Sequence, residues 1–151
     1  AEKTNRFAKK LSGVYRYLLT THDRPQVSVG EELDFVDAYL YLERIRFGDA
    51  LRVAIVDCEI WHERKIVPVS VQMLVENALK HNIATSEMPL TIHIIIDSDG
   101  IVVTNNLQRR SCVVRNGMGL RNLQHQYALY NRRIEIESSD TSFIVKIPYL
   151  N

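Results

Sequence analysis

Pro68-Val69-Ser70-Val71-Gln72-Met73-Leu74-Val75-Glu76-Asn77-Ala78-Leu79-Lys80-His81 is the most informative run of the chain. Val71, Leu74, Val75, Ala78 and Leu79 recur at helical steps, so the spacing predicts a helix from after Pro68 to about Asn82 with one apolar face. Gln72, Glu76 and Lys80 form one polar row along it, and Met73, Asn77 and His81 form the next. Glu76 and Asn77 therefore stand together on the rim of the buried face. A carboxylate beside a carboxamide offers oxygen ligands to Mg²⁺, an ion that takes few protein ligands together with phosphates and water. Lys80 and His81, one turn later, are placed to meet phosphate oxygens. The same spacing equally describes an ordinary Glu76–Lys80 ion pair with Asn77 in solvent, and the pattern alone does not choose between them.

Upstream, residues 2–21 read as a helix, with Phe7, Leu11, Val14, Tyr15 and Leu18 on one stripe. The polar segment from Thr20 to Gln26 contains a proline and breaks the pattern. A second helix is expected from about Val29 to Phe47. Ser28 and Glu31 form a capping-box pattern at its start, and Gly48 is placed to end it. Leu33, Val36, Leu40 and Phe47 are expected on its inner face, with Tyr39 and Leu42 alongside. Leu51–Val56 reads as a strand.

Downstream, Leu90–Ile96 and Ile101–Thr104 read as strands joined by an Asp97-Ser98-Asp99-Gly100 turn. Residues from Asn105 to Asn116 are polar and basic, and are expected to form a mobile loop. Gly117-Met118-Gly119 then opens a helix to about Tyr130, and Arg133–Ser138 and Phe143–Ile147 close the chain as strands. Strands in antiparallel-capable pairs, with helices able to cover one face, argue an α/β (α+β) two-layer sandwich rather than a doubly wound parallel sheet.

Composition narrows the function. The chain has 151 residues, 46% hydrophobic and 25% charged, the mix of a globular domain with a real core. A formal net charge of +1 supplies no global field toward nucleic acid or membrane. The Arg-rich loop lacks interleaved aromatics, so a nucleic-acid module is not expected. Cys58 and Cys112 show neither CxxC nor Cys/His spacing, which argues against a disulfide framework or a structural zinc site and for a reducing cytosol. No apolar run approaches the roughly 20 residues that span a bilayer. The chain begins at Ala1, inside what reads as a helix, and is expected to be part of a longer protein, with a membrane segment upstream possible.

Gly117-Met118-Gly119-Leu120 entering a helix is the second informative motif. Glycines there let phosphate approach exposed N–H groups at the positive end of a helix. Arg115 and Arg121 flank it, and Arg109 and Arg110 precede it. By itself a GxG followed by a helix also fits a plain turn.

Together these residues resemble a known family. The run from Pro68 to His81 resembles the N box of the GHKL ATPases, in the form found in sensor histidine kinases of the LytS/YehU type: a Pro, a Gln four residues on, then Leu-Val-Glu-Asn-Ala and Lys-His. Glu31-Glu32-Leu33, Tyr39-Leu40 and Arg46-Phe47-Gly48 resemble the lead-in segment of that family. Gly117–Asn122 resembles its second glycine box, and Phe143–Pro148 its closing strand. The resemblance spans roughly residues 10–150.

It implies the Bergerat fold over residues 25–151, with residues 1–24 as the end of the helical dimerisation and phosphoacceptor region. It implies ATP and Mg²⁺ as cofactors. Asn77 would ligate the Mg²⁺ that bridges the phosphates, and Glu76 would be the catalytic residue near the γ-phosphate. Lys80 and His81 would sit near the phosphates, residues 107–117 would form a lid, and Arg115, Gly117, Gly119 and Leu120 would line the phosphate end. The parent protein would be a bacterial two-component sensor kinase, homodimeric and anchored in the inner membrane, with this domain in the cytoplasm and a response regulator as partner. An alternative is a module that kept the fold and lost efficient nucleotide use. The family's acceptor histidine lies in a Pro-His-Phe-type motif, which none of the five histidines here occupies. The 151 residues are therefore expected to bind nucleotide without phosphorylating themselves.

One departure has a measurable consequence. Many relatives end a strand in Asp-x-Gly, whose Asp accepts from the adenine amino group; here Asn105 takes the Asp position and Leu107 the Gly position. Asn accepts through a neutral oxygen and also presents a donor, and a neutral acceptor is weaker by about 1 kcal/mol. Competition binding should therefore show a smaller preference for ATP over GTP than in Asp-bearing relatives. A preference of equal strength would contradict this.

Overall fold

Two hydrogen-bonding devices start and stop the second helix where the sequence places them. The computed structural model describes residues 1–110 and 118–151. Its first elements are helix α1 (Glu2–Thr21), strand β1 (Val27–Ser28) and helix α2 (Val29–Phe47). Ser28 Oγ accepts from Glu31 N at 3.1 Å while Glu31 Oε1 accepts from Ser28 N at 3.3 Å, which satisfies orphan donors of the first turn. Gly48 caps the other end at φ 55°, a conformation that favours glycine.

After α2 come β2 (Leu51–Val56), β3 (Lys65–Ile66), α3 (Ser70–His81), β4 (Leu90–Ile96) and β5 (Gly100–Asn106). Helix α4 (Met118–Ala128) and strands β6 (Glu135–Ser138) and β7 (Ser142–Pro148) complete the chain. Five strands form one sheet in the order β2-β4-β5-β7-β6, and β1 pairs with β3 apart from it. β2 and β4 are parallel, with α3 in the connection between them; the other neighbours are antiparallel. Ile92, Ile94 and Ile96 of β4, Ile101 and Val103 of β5, and Val145 and Ile147 of β7 are buried. They join Leu40 of α2, Leu74 and Val75 of α3, and Leu123 and Tyr127 of α4 in one core. His93 and Lys146, on the other face of the sheet, are exposed. Helices thus cover one face, and the expected two-layer α/β architecture holds.

The turn between β4 and β5 works as its residues suggest. Asp97 Oδ1 accepts from Asp99 N at 2.9 Å and from Gly100 N at 3.1 Å. Gly100 is required there, because a Cβ would run into the Ile147 carbonyl oxygen on β7.

Two expectations are corrected, and a few short elements went unpredicted. The inner face of α2 is wider than the stripe of Leu33, Val36, Leu40 and Phe47, of which Val36 and Leu40 are buried and Leu33 and Phe47 pack partly buried against the core. Val29, Glu32, Phe35, Val36, Ala38 and Leu40 are its buried residues, because α1 packs on one side of this helix and α3 on another. β5 does not stop at Thr104: Asn105 and Asn106 continue the ladder opposite Phe143 and Ser142 of β7. The first part of the expected loop is therefore ordered strand. The short β1–β3 pair and the 3-10 turns Gly48–Ala50 and Glu59–Trp61 carry too few residues to show a period.

All five residues predicted for the apolar face of α3 are buried. Full burial of a Val or Leu contributes roughly 1.5–3 kcal/mol, so this face alone fixes the helix on the sheet. Its N-cap, Val69, sits at φ 67°, ψ 8° with no side-chain cap of its own. That left-handed conformation costs a β-branched residue about 1–3 kcal/mol, and something else must hold it.

The capping box makes a pH prediction. The Arg24 guanidinium, 2.7 Å from Glu31, and the Ser28 donors hold the Glu31 carboxyl down at about 2 instead of the ordinary 4.5. The folded chain binds this proton less readily than the unfolded chain. Glu31 therefore stabilises the fold above about pH 4.5, and that contribution is lost as pH falls toward about 2. Burial shifts Glu32 and Glu43 upward, so their effects lie above this window. Urea midpoints measured across pH should show a shallower acid limb in Glu31→Gln than in the parent chain. An identical limb would contradict the assignment.

Candidate functional site

α3 is pinned at both ends, and the pins determine which of its rows faces the sheet's neighbouring loop. At the N-terminus the buried Glu32 of α2 acts as a cap from a distance. Its Oε1 accepts from Val69 N at 2.9 Å and its Oε2 from Val71 N at 2.9 Å. Oε1 also accepts from the Tyr17 hydroxyl of α1 at 2.5 Å. Desolvation pushes the Glu32 carboxyl above its ordinary pKa, and the hydrogen bonds from Tyr17 and from the Val69, Val71 and Gln72 main chain pull the other way. Beside it, Ser70 Oγ lies 2.9 Å from the Tyr127 hydroxyl of α4, which accepts from Val67 N at 3.3 Å.

At the C-terminus Asn82, itself buried, donates from Nδ2 to Ala78 O at 2.9 Å. Its Oδ1 accepts from Gln108 N at 2.8 Å, and its carbonyl accepts from Arg110 Nε at 3.0 Å. Arg110 N donates to His81 O at 3.2 Å. The segment that leaves β5 is thereby stitched to the end of α3.

A cavity of about 410 Å³ opens between these parts. Asn77, Ala78, His81 and Asn82 of α3 and its cap line one wall, and Asn105, Leu107, Arg109 and Arg110 line another. Leu120 of α4, Ser138 of β6 and Phe143 of β7 close it. The lining combines apolar side chains, an aromatic ring among them, with two guanidinium groups, an imidazole and carboxamides. Arg109 is oriented by Ser138, to whose Oγ it donates from Nη2 at 3.2 Å. Asn105 donates from Nδ2 to Asn106 O at 2.8 Å, so its amide oxygen is the group left to accept.

The structure brings together Asn77, His81, Asn105 and Leu120 of the residues singled out from the sequence. Gly119 is adjacent on α4, where an added Cβ would lie 3.9 Å from Met73 Sδ. Glu76 and Lys80 are exposed on the other polar row and do not line the cavity. Glu76 accepts from Gln72 Nε2 at 2.9 Å and lies close enough to Tyr39 and Glu43 of α2 to raise the pKa of both. Arg115 and Gly117 fall outside the described residues, as does the expected lid beyond Arg110. Sequence reasoning missed Asn82, Ser138 and Phe143 as parts of the wall, and did not assign Arg109 and Arg110 to it. The signal for Phe143 was its place opposite Asn105 in the β5–β7 register.

A flat heteroaromatic ring with an anionic tail suits this lining, which offers apolar side chains and an amide acceptor together with guanidinium groups and a carboxamide. Its volume lies within the usual range of about 300–1,000 Å³ for ligand cavities.

Comparisons with known proteins point to one group of enzymes. Residues 1–51 match the sequence family described as histidine kinase. The sensor protein kinase HptS of Staphylococcus aureus (strain USA300) is 29% identical over 119 residues, covering 79% of this chain and 21% of its own length. The chain thus spans about a fifth of the curated relatives it matches. Among solved structures, the catalytic domain of the histidine kinase ThkA superposes with a TM-score of 0.53 at 17% identity, covering 82% of this chain and 94% of that one. The cytoplasmic segment of the histidine kinase QseC gives 0.53 at 13% identity, covering 82% and 77%. At such identities the superpositions show the fold: the chain is similar in sequence to sensor histidine kinases and carries the mixed α/β fold of histidine kinase catalytic domains.

Proposed function

We propose that this chain is the ATP-binding catalytic part of a bacterial two-component sensor kinase of the LytS/YehU type, donating the γ-phosphoryl to a histidine outside these 151 residues. The observation that carries the reading is the convergence of Asn77, His81, Asn105 and Leu120 on one cavity, from an N-box helix, a strand end and a glycine-box helix. In this reading Leu107, Leu120 and Phe143 enclose the base, and the Asn105 amide oxygen accepts from its exocyclic amino group. Asn77 offers its amide oxygen to Mg²⁺, which when bound neutralises charge on the phosphates. Arg109 and Arg110 add cationic donors and His81 an imidazole, and the N–H groups at the start of α4, Gly119 and Leu120 among them, hold phosphate oxygens. Glu76, on the exposed row next to Asn77, stands where an incoming acceptor side chain can reach it and give up its proton. Phosphoryl transfer needs mainly positioning and charge neutralisation, so this set suffices. A response regulator, a homodimeric parent and membrane anchoring of that parent belong to the same proposal.

A second reading has a specific observation behind it. Glu76 lies beside Glu43 and Tyr39 rather than in the cavity, and the adenine-facing position carries Asn105; both fit a module that binds nucleotide without turnover. Thermal unfolding with Mg-ATP separates these readings from no binding at all. A site filled at about 100 times its dissociation constant adds about 2.7 kcal/mol. The expected result is such a stabilisation in the parent chain, its loss in Asn77→Ala, and its retention in Glu76→Gln. Glu76→Gln should instead abolish phosphoryl transfer when the intact kinase is assayed. No stabilisation at millimolar Mg-ATP would end the nucleotide reading, and full transfer by Glu76→Gln would end the role of Glu76.

A further inference from the structure

Three helices meet at one carboxylate. Glu32 of α2 is fully buried and takes the Tyr17 hydroxyl from α1 and the Val69 and Val71 N–H groups from α3. Tyr17 is fixed on its other side by its ring, stacked on Phe35 with centroids 4.1 Å apart and planes 10° from parallel. The Thr21 hydroxyl, in the last turn of α1, donates to Tyr17 O at 2.6 Å. The first half of α1 is exposed, so the helix is attached to the domain through this end.

We propose that Tyr17 and Glu32 couple the position of α1 to the cavity through the first turn of α3. The coupling to nucleotide rests on the cavity's being a nucleotide site; the mechanical link between α1 and α3 does not. If α1 moves enough to withdraw the Tyr17 hydroxyl, a buried carboxylate loses a donor, which is costly where no water replaces it. The donors within its reach are the N–H groups of the α3 first turn, so that turn must rearrange to compensate. Val69 sits in a left-handed conformation held by the same carboxylate, so weakening that contact lets a strained residue relax. The far end of α3 is fixed by Asn82, so a shift at Val69–Val71 tilts the helix about that end and moves Asn77 relative to Asn105. Linkage makes the effect reciprocal: nucleotide in the cavity must bias the docking of α1. Tyr17 and Glu32 are positioning residues in this scheme, since neither lines the cavity.

The test compares amide hydrogen exchange and Mg-ATP affinity in the parent chain, Tyr17→Phe and Lys10→Ala. Tyr17→Phe keeps the ring stack and removes the hydroxyl. Lys10→Ala breaks the Lys10–Asp37 ion pair, 3.2 Å long, and loosens α1 without touching Glu32. Without nucleotide, exchange at Val69 and Val71 should quicken about tenfold in Tyr17→Phe and stay unchanged in Lys10→Ala. With Mg-ATP, the dissociation constant should rise roughly threefold or more in Tyr17→Phe, and nucleotide should slow exchange at Arg16–Thr21 in the parent chain and in Lys10→Ala but not in Tyr17→Phe. If Tyr17→Phe fails to fold, Phe35→Leu replaces it, removing the ring stack that seats Tyr17 while leaving Glu32 in place, with the same expected pattern. Parental exchange at Val69 and Val71 in the variant, or an equal change in Lys10→Ala, would overturn the coupling. Failure of the parent chain to bind Mg-ATP would overturn the nucleotide reading and the cavity end of the coupling, while the nucleotide-free exchange still decides the α1–α3 link.

Discussion

Glu32 sets a carboxylate inside the core against the N-terminus of α3, and the placement of the cavity wall follows from that contact. A helix that starts at a β-branched residue in the left-handed region, with no side-chain cap of its own, leaves its first N–H groups without local partners. Glu32 supplies the partner from another helix, its two oxygens accepting at the N–H end of α3. Ser70 and Tyr127 secure the same turn from α4. With the start fixed there and the end fixed by Asn82, the rotation of α3 about its axis is set. The Met73-Asn77-His81 row then looks toward β5 and α4, and the Gln72-Glu76-Lys80 row looks toward α2 and solvent.

That division of rows gives the site its chemistry. The inner row brings a carboxamide and an imidazole to a cavity whose other walls are a strand end, two arginines and an aromatic ring. The outer row keeps its carboxylate exposed, one residue from Asn77 yet on a different side of the helix. A binding group and a proton acceptor can therefore serve two reactants approaching from different directions. The arginines reach the cavity because Asn82 and Gln108 tie the segment after β5 to the helix end.

Local patterns carried much of this, and long-range hydrogen bonds carried the rest. The apolar period of residues 71–79, the Ser28–Glu31 box and the Asp97–Gly100 turn are each decided within four or so residues, and each stands as read. Glu32 could not be read that way. It lies next to Glu31 in a polar-looking helix start, and only the return of the chain some forty residues later turns it into a cap. Phe35 was hidden for the same reason, since its partner ring is on α1. Asn105 and Asn106 look like loop residues by composition, and the β7 ladder makes them strand. The choice of row for Glu76 depends on helix rotation set at both ends of α3, which spacing within the helix cannot supply.

The most direct test of this account is the response of the side-chain amide signals of Gln72, Asn77 and Asn105 to a Mg-bound, non-hydrolysable ATP analogue, followed by NMR. Asn77 and Asn105 should shift together and saturate with one dissociation constant, while Gln72 stays in place. Movement of Gln72 with Asn77 and Asn105 unchanged would mean that the nucleotide meets the outer row of α3, and the cavity described here is not its site.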